Sequence, residues 1–80
     1  MRKAEVIDLV RVHLQRRRPP GINGVDVVED AVEARGAWWY VPVRTEREPR
    51  KRYRYYEWLS EITDDIKRER DVNVLLLPSP

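Results

Sequence analysis

The segment from Trp38 to Val43, with the sequence WWYVPV, restricts the possible folds of this 80-residue chain more than any other part. Aromatic and β-branched residues are enriched in strands, so this segment is predicted to be a β-strand. Side chains alternate between the two faces along a strand. Trp39, Val41 and Val43 are therefore expected to face the core. Trp38 and Tyr40 are then expected to face away from it.

This strand needs a partner, and the valine-rich stretch 25–34 is the nearest candidate along the chain. The segments 25–34 and 37–44 are predicted to form a hairpin joined at the dipeptide Arg35-Gly36. A two-residue turn there would place Val32 opposite Trp39. The hairpin is the preferred interpretation, because the aromatic strand would otherwise lack a neighbouring partner.

A short helix is the alternative for the first half of this hairpin. Asp26 and Glu29 have the spacing of a capping box, and Gly36 is suited to end a helix.

Pro42 indicates where the second strand lies in the sheet. Proline has no backbone N–H for the ladder and is found mainly at sheet edges or bulges. With the second strand at an edge, the strand order is 2-1-3.

Helical spacing of apolar residues predicts two helices, at about 3–17 and 50–70, with Pro49 in the first position of the second helix. The apolar run 72–77 predicts a third strand. The expected fold class is α+β, in the order helix-strand-strand-helix-strand. Its three-stranded sheet is antiparallel throughout, and the two helices pack on one face. The length predicts one domain, 1–80.

The composition gives little support to catalysis. The chain has no cysteine, and His13 is its only histidine, so thiol nucleophiles and thiolate metal sites are excluded. We expect no catalytic residues, no metal site and no small-molecule cofactor. No apolar segment is long enough to span a membrane, and no secretory signal is visible. We therefore expect no membrane contact and a cytoplasmic location.

The outward side of the second strand is the main candidate for function. Exposed aromatic residues beside arginine are typical of protein-binding surfaces. We expect Trp38, Tyr40 and Arg44 to bind a protein partner or a second copy of the chain in a homodimer. The leading hypothesis is a small non-catalytic binding or adaptor module.

The basic stretch 44–54 suggests an alternative function. It contains six basic residues against two glutamates, although the net charge of the chain is only +2. Arginine can bind phosphate, and aromatic rings can stack on bases. In this alternative, single-stranded DNA or RNA binds through Arg50, Lys51, Arg52, Tyr53 and Arg54.

Overall fold

A computed structural model describes residues 1–17 and 24–79 of the chain. The elements in chain order are α1 (Lys3–Arg16), β1 (Asp26–Val27), a 3-10 turn (Glu29–Ala31), β2 (Glu33–Arg35), β3 (Trp38–Arg44), α2 (Arg52–Arg70) and β4 (Val74–Pro78). This arrangement confirms the α+β class and the predicted order of helices and strands, although the sheet has four strands rather than three.

Helix α1 ends close to the predicted boundary. At its start the backbone N–H of Arg2 donates to Glu5 Oε1 at 3.0 Å, which satisfies a donor that the helix cannot use. Its buried side chains form one stripe, as the apolar spacing predicts: Val6, Ile7, Leu9, Val10, His13 and Leu14. The prolines at 19 and 20, which are expected to end this helix, lie outside the described residues.

The strand predicted over 25–34 is interrupted. β1 pairs Val27 with Val43, and strand pairing resumes only at Glu33, where β2 begins. The residues between them, 28–32, contain the 3-10 turn and stand opposite only two residues of β3. The alternative of a helix across this stretch is also wrong, since only one 3-10 turn forms.

The turn between β2 and β3 lies one residue later than predicted, at Gly36 and Ala37. Gly36 has a φ of 58°, a left-handed conformation that glycine adopts without steric cost and that tight hairpin turns require. Because the turn lies one residue later, Ala34 rather than Val32 lies opposite Trp39.

The predicted strand order is wrong, because β3 lies in the middle of the sheet. β1 and β2 pair antiparallel with one side of β3, and β4 pairs with its other side. The pairing of β3 with β4 is parallel, whereas an antiparallel third strand was expected. Helix α2 connects these two parallel strands, so β3, α2 and β4 form a β-α-β unit.

Pro42 lies in this central strand although it has no N–H to donate. Its carbonyl accepts the N–H of Val28 at 2.9 Å, so its backbone faces the side of β1 and β2. Trp39 and Val43 bond to the other side, toward β4. The missing donor of Pro42 therefore faces the interruption between β1 and β2, where no ladder bond is required. For this reason its assignment to an edge strand is wrong.

The core lies between the sheet and both helices. Its fully buried side chains come from each of these elements: Val6, Val10, Val41, Val43, Ile62, Ile66 and Val74. The two helices therefore pack on the same face, as predicted. Helix α2 begins at Arg52, and Pro49 lies in the preceding loop rather than in the first position of the helix.

Candidate functional site

The side of the sheet opposite the helices is the candidate site, and we call it the open face. Register partners on neighbouring strands point to the same side of a sheet, and along one strand every second residue does so. These two rules identify the members of the open face. They are Glu33, Arg35, Trp38, Tyr40, Pro42, Arg44, Leu75 and Leu77. Asp26 lies opposite Arg44 in the same register, but its carboxylate pairs with Arg11 of α1 at 2.8 Å.

The two neighbouring tryptophans point in opposite directions. Trp38 is 43% exposed on the open face, whereas Trp39 packs against the core. Tyr40 is half-buried on the open face, two residues beyond Trp38. A spacing of two residues along a strand is roughly 7 Å, so the two rings are neighbours. This confirms the alternation predicted from the sequence.

Arg35 contributes to the open face next to Tyr40. Its guanidinium carbon lies 5.2 Å from the centre of the Tyr40 ring, a cation–π distance. Arg35 also forms an ion pair with Glu33 at 2.8 Å. The sequence predicts Arg35 in the turn, which leaves no such role for it. Because the turn begins at Gly36, Arg35 becomes the last residue of β2 and lies opposite Trp38.

Strand β4 adds two leucines to the open face. Leu75 lies beside Tyr40 and Leu77 beside Pro42, and Leu75 is 39% exposed. Neither leucine is among the predicted partner-binding residues, because the parallel pairing of β4 with β3 is not predicted from the sequence. The available signal was the run of three leucines, 75–77, since consecutive apolar residues place apolar side chains on both faces of a strand.

Arg44 lies at the far end of the open face from Trp38. A separation of six positions corresponds to about 20 Å along the strand, so no single small group contacts both. Arg44 is exposed and forms no ion pair with another residue in 1–17 or 24–79. Of the predicted partner-binding residues, the fold therefore brings Trp38 and Tyr40 together and leaves Arg44 apart.

The basic stretch lies around the start of α2, on a different part of the surface. The residues predicted for the nucleic-acid alternative are all exposed: Arg50, Lys51, Arg52, Tyr53 and Arg54. Tyr53 is 62% exposed, but Arg52 is paired with Glu48. The first turn of α2 contains no acidic residue, and its N-cap makes no side-chain hydrogen bond to the helix.

His13 links the two helices. It is 5% exposed, with Nε2 at 2.7 Å from Glu69 Oε2 and Nδ1 at 3.0 Å from the carbonyl oxygen of Leu9. The hydrogen bond from His13 lowers the pKa of Glu69 below its usual value. Both ring nitrogens are engaged within the fold, so His13 has the geometry of a packing residue rather than that of a general base.

Two acidic residues of α2, Glu61 and Asp65, also pair with Arg17, the residue that follows α1. Arg17 contacts Glu61 at 3.3 Å and Asp65 at 3.0 Å, and Asp65 pairs in addition with Arg68. Among residues 1–17 and 24–79, no group of three or more histidine, cysteine, aspartate or glutamate side chains is placed to hold a metal ion. Neither described helix combines the length and the apolar character needed to cross a membrane.

Comparison of the chain with models of known protein families, with curated proteins and with solved structures finds no match. Functional inference therefore depends on the surfaces themselves.

Proposed function

We propose that this protein is a small non-catalytic binding or adaptor module that contacts a protein partner through the open face. The observation that carries the proposal is the 43% exposure of Trp38, next to Tyr40 and the 39% exposed Leu75. Tryptophan and tyrosine are the residues most often found at the energetic centre of protein interfaces. That the module works in the cytoplasm stays a prediction.

The size of the open face limits the kind of partner. Stable interfaces use about 20–30 residues from each side. The open face has about a third of that number, which is typical of a transient contact with a short partner segment. Apolar side chains of that segment would cover Trp38 and Leu75. An acidic group at one end would pair with the exposed Arg44, about 20 Å from Trp38.

The test compares the two neighbouring tryptophans. Trp38→Ser is expected to change the free energy of unfolding by no more than about 1 kcal/mol, because its indole lies outside the core. Trp39→Ser is expected to lower it by about 2 kcal/mol or more, because that indole packs against the core. Thermal unfolding followed by circular dichroism measures both effects.

Partner binding is then measured with immobilised protein and quantitative mass spectrometry of what it retains from a cell homogenate. The retained amount of each protein that binds the unchanged chain should fall about tenfold with the Trp38→Ser variant. The Val12→Ser variant, a matched change at an exposed position of α1, should retain the same amounts as the unchanged chain. The proposal is wrong if Trp38→Ser retains the same proteins in the same amounts, or if this change unfolds the chain.

A second function, single-stranded nucleic-acid binding, is favoured by the start of α2. Basic residues in the first turn of a helix are opposed by the helix dipole, at about 0.3–1 kcal/mol each when exposed. Arg52 and Arg54 lie in this turn, which has no acidic residue of its own; Arg52 is paired with Glu48 in the preceding loop, and Arg54 has no such partner among residues 1–17 and 24–79. A phosphate bound there would offset their repulsion, and the exposed ring of Tyr53 would stack on a base.

Salt dependence tests this second function. Fluorescence anisotropy with a labelled single-stranded oligonucleotide gives log Kd against log salt, with a slope near 0.7 per phosphate contact. Changing Arg50, Lys51 and Arg54 to glutamine should reduce that slope by about 2. The same change at Arg2, Lys3 and Arg70 is the charge-matched control. Equal slopes for the two triple variants, or no binding by the unchanged chain at low salt, would eliminate this function.

A further inference from the structure

Among residues 1–17 and 24–79, strand β4 pairs only with β3, so its other side is an unpaired edge of the sheet. On its paired side, Trp39 N–H donates to the carbonyl of Asn73 and Ser79 N–H donates to the carbonyl of Val43. Successive residues of a strand direct their backbone groups to opposite sides, so the odd-numbered residues of β4 bond to β3. The backbone groups of the even-numbered residues therefore point outward.

Those outward groups are the N–H and C=O of Val74 and Leu76 and the C=O of Pro78. They form a short template to which another strand can add. Proteins usually protect such edges with charged side chains, prolines, bulges or covering segments. This edge has a proline, Pro78, only at its last residue, and it has no charge, because the stretch 72–79, VNVLLLPS, contains no charged residue.

A groove of about 540 Å³ runs beside this edge, between β4 and α2. Its walls are mainly apolar or small, with Leu75, Leu76 and Pro78 on the strand side and Tyr56, Ser60 and Asp64 on the helix side. Tyr56, Ser60 and Asp64 are spaced four residues apart, so they form one row along α2. Asp64 is the only charged residue in the lining of this groove.

We propose that a second copy of the chain occupies this edge, with β4 pairing antiparallel to β4 about a two-fold axis. The row on α2 is complementary to itself under that symmetry. With Ser60 on the axis, Tyr56 of one copy stands opposite Asp64 of the other, so a hydroxyl donor meets a carboxylate acceptor. The small side chain of Ser60 lets the two helices approach.

Charges at the ends of the row are compatible with this arrangement. Arg52 and Arg68 continue the row at the same spacing and stand opposite each other across the axis. Each already has a carboxylate partner in its own chain, Glu48 for Arg52 and Asp65 for Arg68. Their mutual repulsion is therefore largely offset.

The contact area available at the β4 edge determines the expected affinity of the dimer. The smallest dimension of the domain is 18 Å, which corresponds to one helix layer on one sheet layer. Helix α2, with 19 residues, is about 28 Å long. A flat contact of these dimensions covers roughly 500 Å², below the about 800 Å² that each partner buries in a stable complex. The dimer is therefore reversible and depends on concentration.

This inference does not rest on the function proposed for the open face. It does change the shape of that surface, because pairing at β4 brings Leu75 of both copies together. The two open faces then form one continuous sheet surface on the side away from the helices. A dimer of this kind leaves Trp38 of both copies accessible, whereas a dimer formed face to face would cover them.

Sedimentation equilibrium over roughly 10–500 μM tests the dimer directly. The average mass should rise from 9.6 kDa toward twice that value. Leu75→Lys should hold the mass at 9.6 kDa, because lysine on an edge strand opposes pairing. Val12→Lys, at an exposed position of α1, should behave as the unchanged chain. Circular dichroism confirms that each variant is folded.

Single cysteines locate the contact, since the chain has none of its own. A short bis-maleimide reagent should link Leu75→Cys into a covalent dimer, because the two residues lie within about 10 Å across the strand pair. Val12→Cys and Trp38→Cys should remain monomeric on a denaturing gel. A chain that stays at 9.6 kDa at every concentration overturns the proposal, and so does a dimer linked through Trp38→Cys but not through Leu75→Cys.

Discussion

Replacing Ile62 with alanine is expected to lower the free energy of unfolding by about 2–5 kcal/mol. Ile62 is fully buried in the middle of α2, in the core cluster that both helices share with the sheet. The change removes three carbon atoms from a site with no solvent access, so the lost transfer free energy adds to that of the remaining cavity. Urea unfolding followed by tryptophan fluorescence measures the difference.

Two further variants make this result interpretable. Domains of this size are marginally stable, so Ile62→Ala can unfold the chain at room temperature. Ile62→Val, expected to lower the free energy of unfolding by about 0.5–1.5 kcal/mol, then gives a measurable intermediate step. Val12→Ala, at a 45% exposed position of α1, should change it by less than about 0.5 kcal/mol. Equal effects at Ile62 and Val12 would contradict the assigned core.

The helices and the alternation of β3 could be predicted because they depend on local periodicity. The stripe of α1 from Val6 to Leu14 repeats with the helical period, and its burial follows directly from that pattern. In the same way, the period of two along β3 separates Trp38 from Trp39 before any partner strand is known. These features need no information about how distant segments meet.

The pairing of the strands could not be predicted from the same signals. Because proline lacks a ladder donor, Pro42 predicts a sheet edge. The fold accommodates it in the centre by interrupting the neighbouring strand at 28–32, opposite the missing N–H. That interruption carries no strong signal in the valine-rich sequence, since a 3-10 turn of three residues has no periodicity of its own.

The candidate site was predicted only in part for the same reason. The positions of Trp38 and Tyr40 on the open face follow from alternation within one strand. The positions of Arg35 and Leu75 there depend on how the strands pair. Arg35 depends on a turn placed one residue later, and a shift of one residue changes which face a side chain occupies. Leu75 depends on the parallel crossover through α2, which places β4 beside β3.

Two polar groups in α2 are buried. Apolar spacing predicts which side chains are buried, but it does not predict whether their polar atoms find hydrogen-bond partners. Tyr55 and Trp58 are each 5% exposed and lie among the buried residues of α2. The Tyr55 hydroxyl and Trp58 Nε1 are both buried, and neither has a hydrogen-bond partner among residues 1–17 and 24–79. Burial raises the pKa of the Tyr55 hydroxyl, with a smaller contribution from Tyr56.

Tyr55→Phe is therefore expected to increase the free energy of unfolding by about 1–3 kcal/mol, because a buried hydroxyl without a partner loses its hydrogen bonds to water on folding. The ring, its packing and the tilted contact with Trp58, with ring centres 6.2 Å apart, are retained. Tyr56→Phe is the matched control on the next residue, where the 47% exposed hydroxyl stays in water and the effect should be within about 0.5 kcal/mol. Urea unfolding gives both values. A loss of stability in Tyr55→Phe would contradict this prediction, since it would mean that the hydroxyl forms a hydrogen bond inside the folded protein.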